Sequence, residues 1–252
     1  MTWARVGWHV ATVVETRPET ATATRITLDV PTWPGNRAGA HLDVRLTATD
    51  GYQATRSYSI ATSGETTRVV LAVDELPEGE VSPFLVHELR AGDTLELHGP
   101  LGSYFLWPPA GSDTSARTPV QLIAGGSGVV PLYAMAARRG EGGGGEVGGG
   151  EFRLLYSVRG PDDAFFGPEL TALAASGALR LDWVHTRRVP EGSPTSAGRL
   201  ARDRLRELAV APDAGALVYC CGPTPFVEAV AGWLLEIGFP AEHLLTERFG
   251  GG

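Results

Sequence analysis

The chain has 252 residues, 43% of them hydrophobic, and its 21 basic and 29 acidic side chains give a formal net charge of -8. This length accommodates one large or two modest domains, each with a sizeable core. The acidic balance argues against a nucleic-acid-binding protein, which needs basic groups to replace the counterions of phosphates. All 21 basic residues are arginine, which excludes lysine Schiff-base chemistry and a phosphate loop that ends in Gly-Lys-Ser/Thr.

The cysteines and histidines give no support to disulfide or metal chemistry. Cys220 and Cys221 are adjacent, so they cannot link distant parts of the fold, and two thiolates are too few for an iron–sulfur cluster. None of the six histidines shows metal-ligand spacing. The N-terminal segment lacks the apolar run of a signal peptide, and no stretch of about 18 apolar residues follows. We therefore expect a soluble, cytoplasmic protein without a bound metal.

The first 107 residues carry the pattern of an antiparallel β-domain. Short segments rich in β-branched residues are bounded by turn signals such as Asp50-Gly51. This spacing is typical of a barrel or a sandwich, and Ser82 and Pro83 favour one helix over 82–89. The predicted strands cover residues 8–15, 24–30, 41–47, 56–61, 68–74 and 94–98.

Residues 108–118 form a polar, Pro/Gly/Ser-rich linker, after which strands alternate with helices. Such alternation indicates a doubly wound parallel sheet. We predict two domains, an antiparallel β-barrel over residues 1–110 and an α/β domain over 116–252. The predicted strands cover 120–124, 152–158, 179–186 and 216–220, and the predicted helices cover 131–139, 168–176, 200–209 and 223–237.

The glycine-rich segment 140–150 interrupts the α/β pattern between a helix and a strand. Gly140, Gly142 and Gly145 fit the Gly-x-Gly-x-x-Gly spacing of dinucleotide-binding turns. No strand directly precedes this match and no helix follows it, so the context that the motif needs is missing. We interpret the segment as a flexible surface insertion.

Arg56, Ser57, Tyr58 and Ser59 form the sharpest motif of the first half. Alternation along a strand places Arg56 and Tyr58 on one face and the two serines on the other. An arginine beside an aromatic ring suits a ligand that has a phosphate and a flat heterocycle, because the guanidinium binds phosphate oxygens while the ring packs on the heterocycle. Taken alone, the motif is equally compatible with an ordinary exposed barrel strand.

Three glycine-containing turns are further candidates for ligand contact. The turn 79–82 begins the predicted helix and favours an anion, although it also suits simple capping. The turn 99–105 has two glycines that permit close approach of a ligand, or serve only a tight turn. Gly125, Gly126, Ser127 and Gly128 follow a strand and open a helix, which is the context for cradling a phosphate.

Cys220 and Cys221 end a predicted parallel strand, and the carboxyl ends of such strands face the ligand crevice. Buried cysteine is more often a small core residue than a reactive one. We keep the core interpretation for Cys220.

Taken together and in order, these motifs resemble the ferredoxin–NADP reductase superfamily, and most of all its compact bacterial flavin reductase modules without a fused iron–sulfur domain. The resemblance covers nearly the whole chain. It implies an FAD-binding β-barrel followed by an NAD(P)-binding α/β domain, with hydride passing between the two rings where the domains meet. The motifs are Arg-x-Tyr-Ser, Gly-x-x-Ser, Gly-Gly-Ser-Gly-x-x-Pro, Cys-Gly-Pro and Glu-Arg-Phe.

The resemblance implies a role for each matching residue on the flavin side. Arg56 would contact the flavin phosphate, Tyr58 would pack on the isoalloxazine, and Ser59 would reach the nitrogen that accepts hydride. The turn 79–82 would hold the pyrophosphate, which favours FAD over FMN. The residues expected to bind FAD are Arg56, Ser57, Tyr58, Ser59, Gly79, Glu80, Val81, Ser82 and Phe249.

On the nicotinamide side, the resemblance implies that the glycine-rich turn borders the coenzyme's pyrophosphate and that Cys221 helps to position the nicotinamide. Glu247 and Phe249 would close over the flavin, and the catalytic set would be Ser59, Cys221 and Glu247. The residues expected to bind NAD(P) are Gly125, Gly126, Ser127, Gly128, Ser157, Arg159, Arg187, Arg188, Cys221, Gly222 and Pro223.

The choice of nicotinamide coenzyme depends on the strand ends of the α/β domain. Arginine there accommodates an extra ribose phosphate, whereas an acidic group binds a ribose hydroxyl. Ser157 and Arg159 follow one strand, and Arg187 and Arg188 follow the next, so the pattern favours NADPH over NADH. The alternative is that Arg159 merely pairs with a nearby aspartate.

These expectations define the functional hypothesis. The chain would take hydride from NADPH or NADH onto FAD and release electrons to a separate acceptor, such as ferredoxin or another redox protein. The alternatives are a free-flavin or quinone reductase, and a flavin-binding electron-transfer subunit that acts only within a complex. No general acid–base pair is required for the hydride step, because that chemistry belongs to the cofactors.

Overall fold

The computed structural model describes residues 6–109, 118–141 and 150–250, and the chain divides into two compact units between Trp107 and Pro108. Most of the expected linker 108–118 and of the glycine-rich segment 140–150, including Gly142 and Gly145, lies outside the described residues.

The first unit is a six-stranded antiparallel half-barrel, which confirms the predicted class of this half. Its strands are β1 (Gly7–Pro18), β2 (Ala23–Asp29), β3 (His41–Thr47), β4 (Gln53–Ser59), β5 (Arg68–Asp74) and β6 (Thr94–Leu101). Across the sheet they run in the order β4-β3-β6-β1-β2-β5. Each predicted strand overlaps an observed one.

Alternation along these strands separates a core face from an outer face. On β3, Leu42 and Val44 are fully buried, and they pack with Leu97 of β6 in the core of the unit. Each buried leucine or valine side chain contributes about 1.5–3 kcal/mol relative to an exposed one. On the outer face, the Arg45 guanidinium lies 3.8 Å from the centre of the Trp8 ring.

The helix predicted over 82–89 is confirmed. It begins at Ser82, continues as a π-helical turn over Phe84–Glu88, and ends where the chain becomes extended at Leu89. Leu85 and Leu89 are buried in the barrel core, so packing rather than helix propensity fixes this segment.

The second unit is a five-stranded parallel sheet with helices, as the alternating pattern predicts. Its strands run in the order β11-β10-β7-β8-β9. The strands are β7 (Val120–Gly125), β8 (Phe152–Val158), β9 (Arg180–His185), β10 (Leu217–Pro223) and β11 (Leu244–Phe249), and the helices are α1 (Val129–Glu141), α2 (Gly167–Ala175), α3 (Arg202–Leu208) and α4 (Thr224–Ile237).

Strand β11 is the one major element that the sequence pattern misses. It pairs in parallel with β10 along its whole length, from Val218 opposite Leu244 to Pro223 opposite Phe249. The segment LLTERF lacks a clear alternation of apolar and polar residues, so pairing with β10 rather than local pattern determines its conformation.

Two structural searches over the described residues give negative results. None of the helices there is long and apolar enough to cross a membrane. No group of three or more His, Cys, Asp or Glu side chains in the same part of the chain is placed to hold a metal ion.

Candidate functional site

In the first unit, strand β4 presents Arg56 and Tyr58 on the same face, as alternation predicts. Their cross-strand neighbours on β3 are the core residues Val44 and Leu42. Tyr58 is half-buried against this core, and burial raises the pKa of its phenol to about 12. The ring is therefore neutral at physiological pH, and the guanidinium of Arg56 lies along the same strand face.

The two serines of the motif have different surroundings. Ser57 lies on the opposite face of β4, where its hydroxyl donates to the Asp43 carboxylate at 2.6 Å. Ser59 ends the strand, and its hydroxyl makes no hydrogen bond with any residue that the structure describes. Ser59 is thus the serine with a hydroxyl open to a ligand.

The turn 79–82 faces Arg56. The Arg56 guanidinium lies 3.3 Å from the Glu80 carboxylate, and both side chains are about half exposed. The Ser82 hydroxyl accepts a hydrogen bond from the Leu76 backbone N–H at 3.0 Å and so fixes the loop from within. Gly79 is required by packing, since a Cβ there would lie 2.9 Å from the Leu76 carbonyl oxygen.

This turn also offers backbone donors. The N–H groups of Glu80, Val81 and Ser82 have no acceptor among the residues that the structure describes. Three successive N–H groups without acceptors, beside a guanidinium, form a donor set suited to a pyrophosphate.

A cavity of about 540 Å³ adjoins the same turn within the first unit. The exposed aromatic rings of Tyr52 and Phe84 line it together with Ala54, Leu95 and Glu80. The Tyr52 hydroxyl donates to the Glu80 carboxylate at 3.1 Å, and this bond raises the pKa of Tyr52. The sequence analysis misses Tyr52, although its even spacing from Arg56 and Tyr58 already places it on their face.

In the second unit, the glycine-rich turn after β7 packs directly on the end of strand β10. A Cβ at Gly128 would lie 2.3 Å from the Cys221 carbonyl oxygen and 2.7 Å from the Gly222 nitrogen. A Cβ at Gly125 would lie 2.7 Å from the Phe226 ring. A Cβ added at Gly126 would meet no atom within 4 Å, but Gly126 has a φ of +55°, a conformation that glycine adopts readily.

These contacts bring the two predicted coenzyme motifs together. A Cβ added at Gly222 would lie 3.2 Å from the Gly125 backbone. The carboxyl ends of β7 and β10 therefore meet at one edge, where the Phe226 ring packs against Gly125 and Gly222. Ser127 is half-buried at this edge, ahead of helix α1.

Cys221 and Glu247 are register partners on the parallel strands β10 and β11. Both cysteines are free and buried, and burial raises the pKa of Cys220 to about 12. Burial is also the main cause that raises the pKa of Cys221, and the Glu247 carboxylate adds to it. Burial raises the pKa of Glu247 to about 7. Phe249, at the end of β11, is exposed.

The arginines predicted to select the coenzyme meet at the ends of β8 and β9. The backbone N–H groups of Arg187 and Arg188 donate to the Arg159 carbonyl at 2.9 and 3.0 Å. The Arg188 guanidinium is bound by Asp162 and Asp163. The pairing that the sequence analysis considered for Arg159 is therefore made by Arg188 instead. Ser157 is buried within β8.

Two family models match the two units. The first describes an oxidoreductase FAD-binding domain and matches residues 13–106, and the second describes an oxidoreductase NAD-binding domain and matches residues 122–232. The fold and the matched domains together define a flavin- and nicotinamide-dependent oxidoreductase. The chain belongs to the ferredoxin–NADP reductase-like family.

Similar proteins include reductase components of oxygenases. The chain is 30% identical over 260 residues to the ferredoxin reductase component of 3-ketosteroid-9-alpha-monooxygenase from Mycolicibacterium smegmatis, with 99% of this chain and 68% of the relative covered. It is 32% identical over 205 residues to the glycine betaine monooxygenase reductase subunit of Chromohalobacter salexigens, with 80% of this chain and 53% of that protein covered. The chain thus spans about half to two thirds of the length of these relatives.

Among solved structures, the cytochrome P450 reductase of Amycolatopsis superposes with a TM-score of 0.79 at 26% identity, covering 97% of this chain and 70% of that one. The FAD/NAD-binding domain of a nitric oxide dioxygenase from Vibrio cholerae has the same fold, with a TM-score of 0.80 at 22% identity over 98% of this chain and 100% of that domain.

The first unit's residues fit the FAD that its family binds. The guanidinium of Arg56 and the three N–H groups of the turn 79–82 supply donors for two phosphates. The half-buried Tyr58 supplies a flat apolar face, and the cavity lined by Tyr52 and Phe84 is large enough for an adenosine.

Proposed function

We propose that the chain is an NAD(P)H-dependent flavin reductase that delivers electrons to a separate protein, such as a ferredoxin or an oxygenase component. The observation that carries this proposal is the donor set around the turn 79–82, where Arg56, which makes a single 3.3 Å contact with Glu80, and three successive backbone N–H groups lie beside an aromatic-lined cavity. The names of the similar reductase subunits of glycine betaine monooxygenase, 3-ketosteroid monooxygenase and toluate dioxygenase support the choice of acceptor class.

The residues of the first unit have proposed roles in holding FAD. Arg56 and the N–H groups of Glu80, Val81 and Ser82 bind the pyrophosphate, with Gly79 shaping the turn. Tyr58 packs on the isoalloxazine, and the cavity beside Tyr52 takes the adenosine. Ser57 supports strand β4 through its bond to Asp43, whereas the free hydroxyl of Ser59 is the proposed contact to the flavin ring.

The residues of the second unit have proposed roles in holding the nicotinamide coenzyme. The edge formed by residues 125–128 and 221–223 admits the pyrophosphate and the nicotinamide. Cys221 and Glu247 act at the nicotinamide end, where a buried, largely neutral thiol and a carboxyl group exclude water. Phe249 is proposed to cover the flavin. Arg159 and Arg187 favour NADPH over NADH.

The first unit would hold FAD through Arg56, Tyr58 and the turn 79–82, and the bound flavin would supply hydride acceptance from the nicotinamide and release of single electrons. The protein's part is to orient the two cofactors and to keep water away from them. A cytoplasmic location belongs to the proposal, and the two free thiols at residues 220 and 221 agree with a reducing compartment.

The test is the absorbance spectrum of the purified, FAD-loaded protein before and after anaerobic addition of NADPH or NADH. We expect a flavin band that is bleached by both coenzymes, and faster by NADPH. Reduction of a ferredoxin-type acceptor by this protein, faster than reduction of free quinone or free flavin, would support the acceptor class. Protein that binds no FAD would contradict the proposal, and rapid turnover with quinone alone would replace it by a quinone reductase.

A further inference from the structure

Three arginines with different surroundings meet at one edge of the second unit. Besides the two backbone bonds to the Arg159 carbonyl, the Thr186 N–H donates to the Val158 carbonyl at 2.8 Å, so β8 and β9 end side by side. Arg159, Arg187 and Arg188 are all exposed there. At the carboxyl ends of parallel strands, this is a position from which cations can reach a bound nucleotide.

Only one of the three guanidiniums is bound to carboxylates. Arg188 donates to Asp162 at 3.0 Å and to Asp163 at 3.1 Å, and both bonds raise the pKa of Arg188. Arg159 and Arg187, in contrast, have no side-chain hydrogen bond or ion pair with any residue that the structure describes.

We call Arg188 together with Asp162 and Asp163 the clamp. The local backbone conformation positions these three side chains. A 3-10 turn over Pro161–Asp163 presents both aspartates, and the Asp163 N–H closes it onto the Gly160 carbonyl at 3.1 Å. A Cβ on Gly160 would lie 3.2 Å from both the Arg188 guanidinium and the Asp163 carboxylate. A side chain at position 160 would therefore crowd the clamp.

The clamp changes the charge that a nucleotide meets. Arg188 with two carboxylates carries a net charge of about -1, because one cation is paired with two anions. A phosphate monoester carries nearly two negative charges at neutral pH and is bound best by free guanidinium forks. The clamp therefore opposes the attraction that Arg159 and Arg187 exert on such a group.

We propose that Asp162 and Asp163 determine coenzyme selectivity by withholding Arg188 from the ribose phosphate that distinguishes NADPH from NADH. This inference rests on the proposed function, since it requires a nicotinamide dinucleotide at this edge. The selectivity is a balance between two free cations and one clamped cation, so the preference for NADPH is moderate and both coenzymes are used.

The test measures binding of 2′,5′-ADP and of 5′-AMP by calorimetry, at low and at high salt. The double variant Asp162→Asn/Asp163→Asn is expected to bind 2′,5′-ADP about tenfold more tightly than the parent, with a change in 5′-AMP affinity of less than about twofold, because only the former carries the extra phosphate. The gain should shrink at high salt, since these charges are exposed.

Arg188→Ala distinguishes an effect of the Arg188 guanidinium on phosphate binding from an effect of the overall change in surface charge. In the parent it is expected to give no gain in 2′,5′-ADP affinity, because it leaves Asp162 and Asp163 without their cation, whereas in the double Asn background it should remove most of the gain. A matched control exists at the surface of α3 and α4, where Arg202 lies 3.7 Å from Asp203 and 3.2 Å from Glu236. Asp203→Asn/Glu236→Gln changes the net charge equally and should not alter the preference between the two nucleotides.

Two results would overturn the inference. One is an unchanged 2′,5′-ADP affinity in the double Asn variant, and the other is a gain in that variant that persists in full when Arg188→Ala is added. Absence of binding of both nucleotides to the parent would also overturn it. These outcomes are distinct from failure of the proposed function, because bleaching of the flavin by NADH tests that function without reference to residues 159–188.

Discussion

Glu247 and Cys221 lie opposite each other on two neighbouring parallel strands, β11 and β10, and burial raises the pKa of both side chains. The Glu247 carboxyl has a pKa of about 7, against 4.5 for its ordinary value. Because the two side chains share one face of the sheet, ionisation of Glu247 also disfavours the Cys221 thiolate.

The first prediction concerns stability against pH. Between the ordinary value of 4.5 and the folded value of about 7, the folded chain binds more protons at Glu247 than the unfolded chain does. The free energy of unfolding therefore falls by up to about 3 kcal/mol as pH rises through this window. Above the window, Glu247 causes no further change in this free energy. Glu247→Gln should lack this decrease. Urea unfolding of both proteins across the window measures it.

Glu242→Gln is the matched control for that experiment. Glu242 is exposed and lies just before β11, so its replacement should leave the pH dependence of the parent intact. Unfolding curves of Glu247→Gln that run parallel to the parent at every pH would contradict the assignment.

The second prediction concerns thiol reactivity. Cys220 and Cys221 are both about 1% exposed, and burial raises the pKa of each thiol. Thiolate is the reactive form, so neither residue should react with a chromogenic disulfide reagent while the chain is folded. Both should react at once in urea. A single fast-reacting thiol in the folded protein would show that one strand end opens to solvent.

The third prediction concerns the flavin phosphate contact. Arg56→Ala removes the guanidinium that faces the turn 79–82, and we expect FAD affinity to fall about ten- to a hundredfold, since charge-assisted hydrogen bonds are worth roughly 1.5–3 kcal/mol. Fluorescence titration of the flavin-free protein with FAD measures this change. Arg68→Ala, at the exposed start of β5, is the control and should bind FAD like the parent. Full retention of FAD by Arg56→Ala would remove Arg56 from the site.

The fourth prediction concerns the glycine contact between the turn after β7 and the end of β10. Gly128→Ala would place a Cβ 2.3 Å from the Cys221 carbonyl oxygen, so the turn or the strand end must move. We expect a loss of about 1–3 kcal/mol in the free energy of unfolding, in line with overpacking in a rigid core. The measurement is the urea midpoint of the second unit.

Gly232→Ala provides the contrasting change in the same unit. Gly232 lies within helix α4 and has no neighbouring atom within 4 Å of the added Cβ. Alanine there should stabilise the helix by about 0.5–1 kcal/mol. Equal effects of the two substitutions would argue that the close approach at Gly128 is not maintained in solution.

Much of this architecture follows from local pattern. The β-branched segments of the first half and the alternating strands and helices of the second half predict both sheets, and the even spacing of Arg56 and Tyr58 predicts their shared face. The same rule applied to Tyr52 would have predicted the aromatic wall of the cavity. Pattern succeeds here because these features depend on the periodicity of a single strand.

The remaining features depend on which elements become neighbours. Strand β11 exists because β10 offers it an edge, and its own sequence does not alternate. The choice of Arg188 rather than Arg159 as the partner of Asp162 and Asp163 depends on the backbone bonds that join β8 to β9. Likewise, the predicted helix 82–89 is wound as a π-helical turn over Phe84–Glu88 where Leu85 packs on the barrel core, which propensity alone does not indicate.

The close packing around Gly125 and Gly128 makes these two positions unequal under mutation. The obstacle to a side chain at Gly125 is the ring of Phe226, so shortening that ring in the same molecule can restore space. The obstacle at Gly128 is the backbone of Cys221 and Gly222, whose atoms no side-chain substitution can remove. In a library of random variants, substitutions of Gly125 should therefore be tolerated when Phe226 is replaced by a smaller residue in the same molecule. Substitutions of Gly128 should not be rescued by any second substitution, so only position 125 can vary during evolution of this sequence.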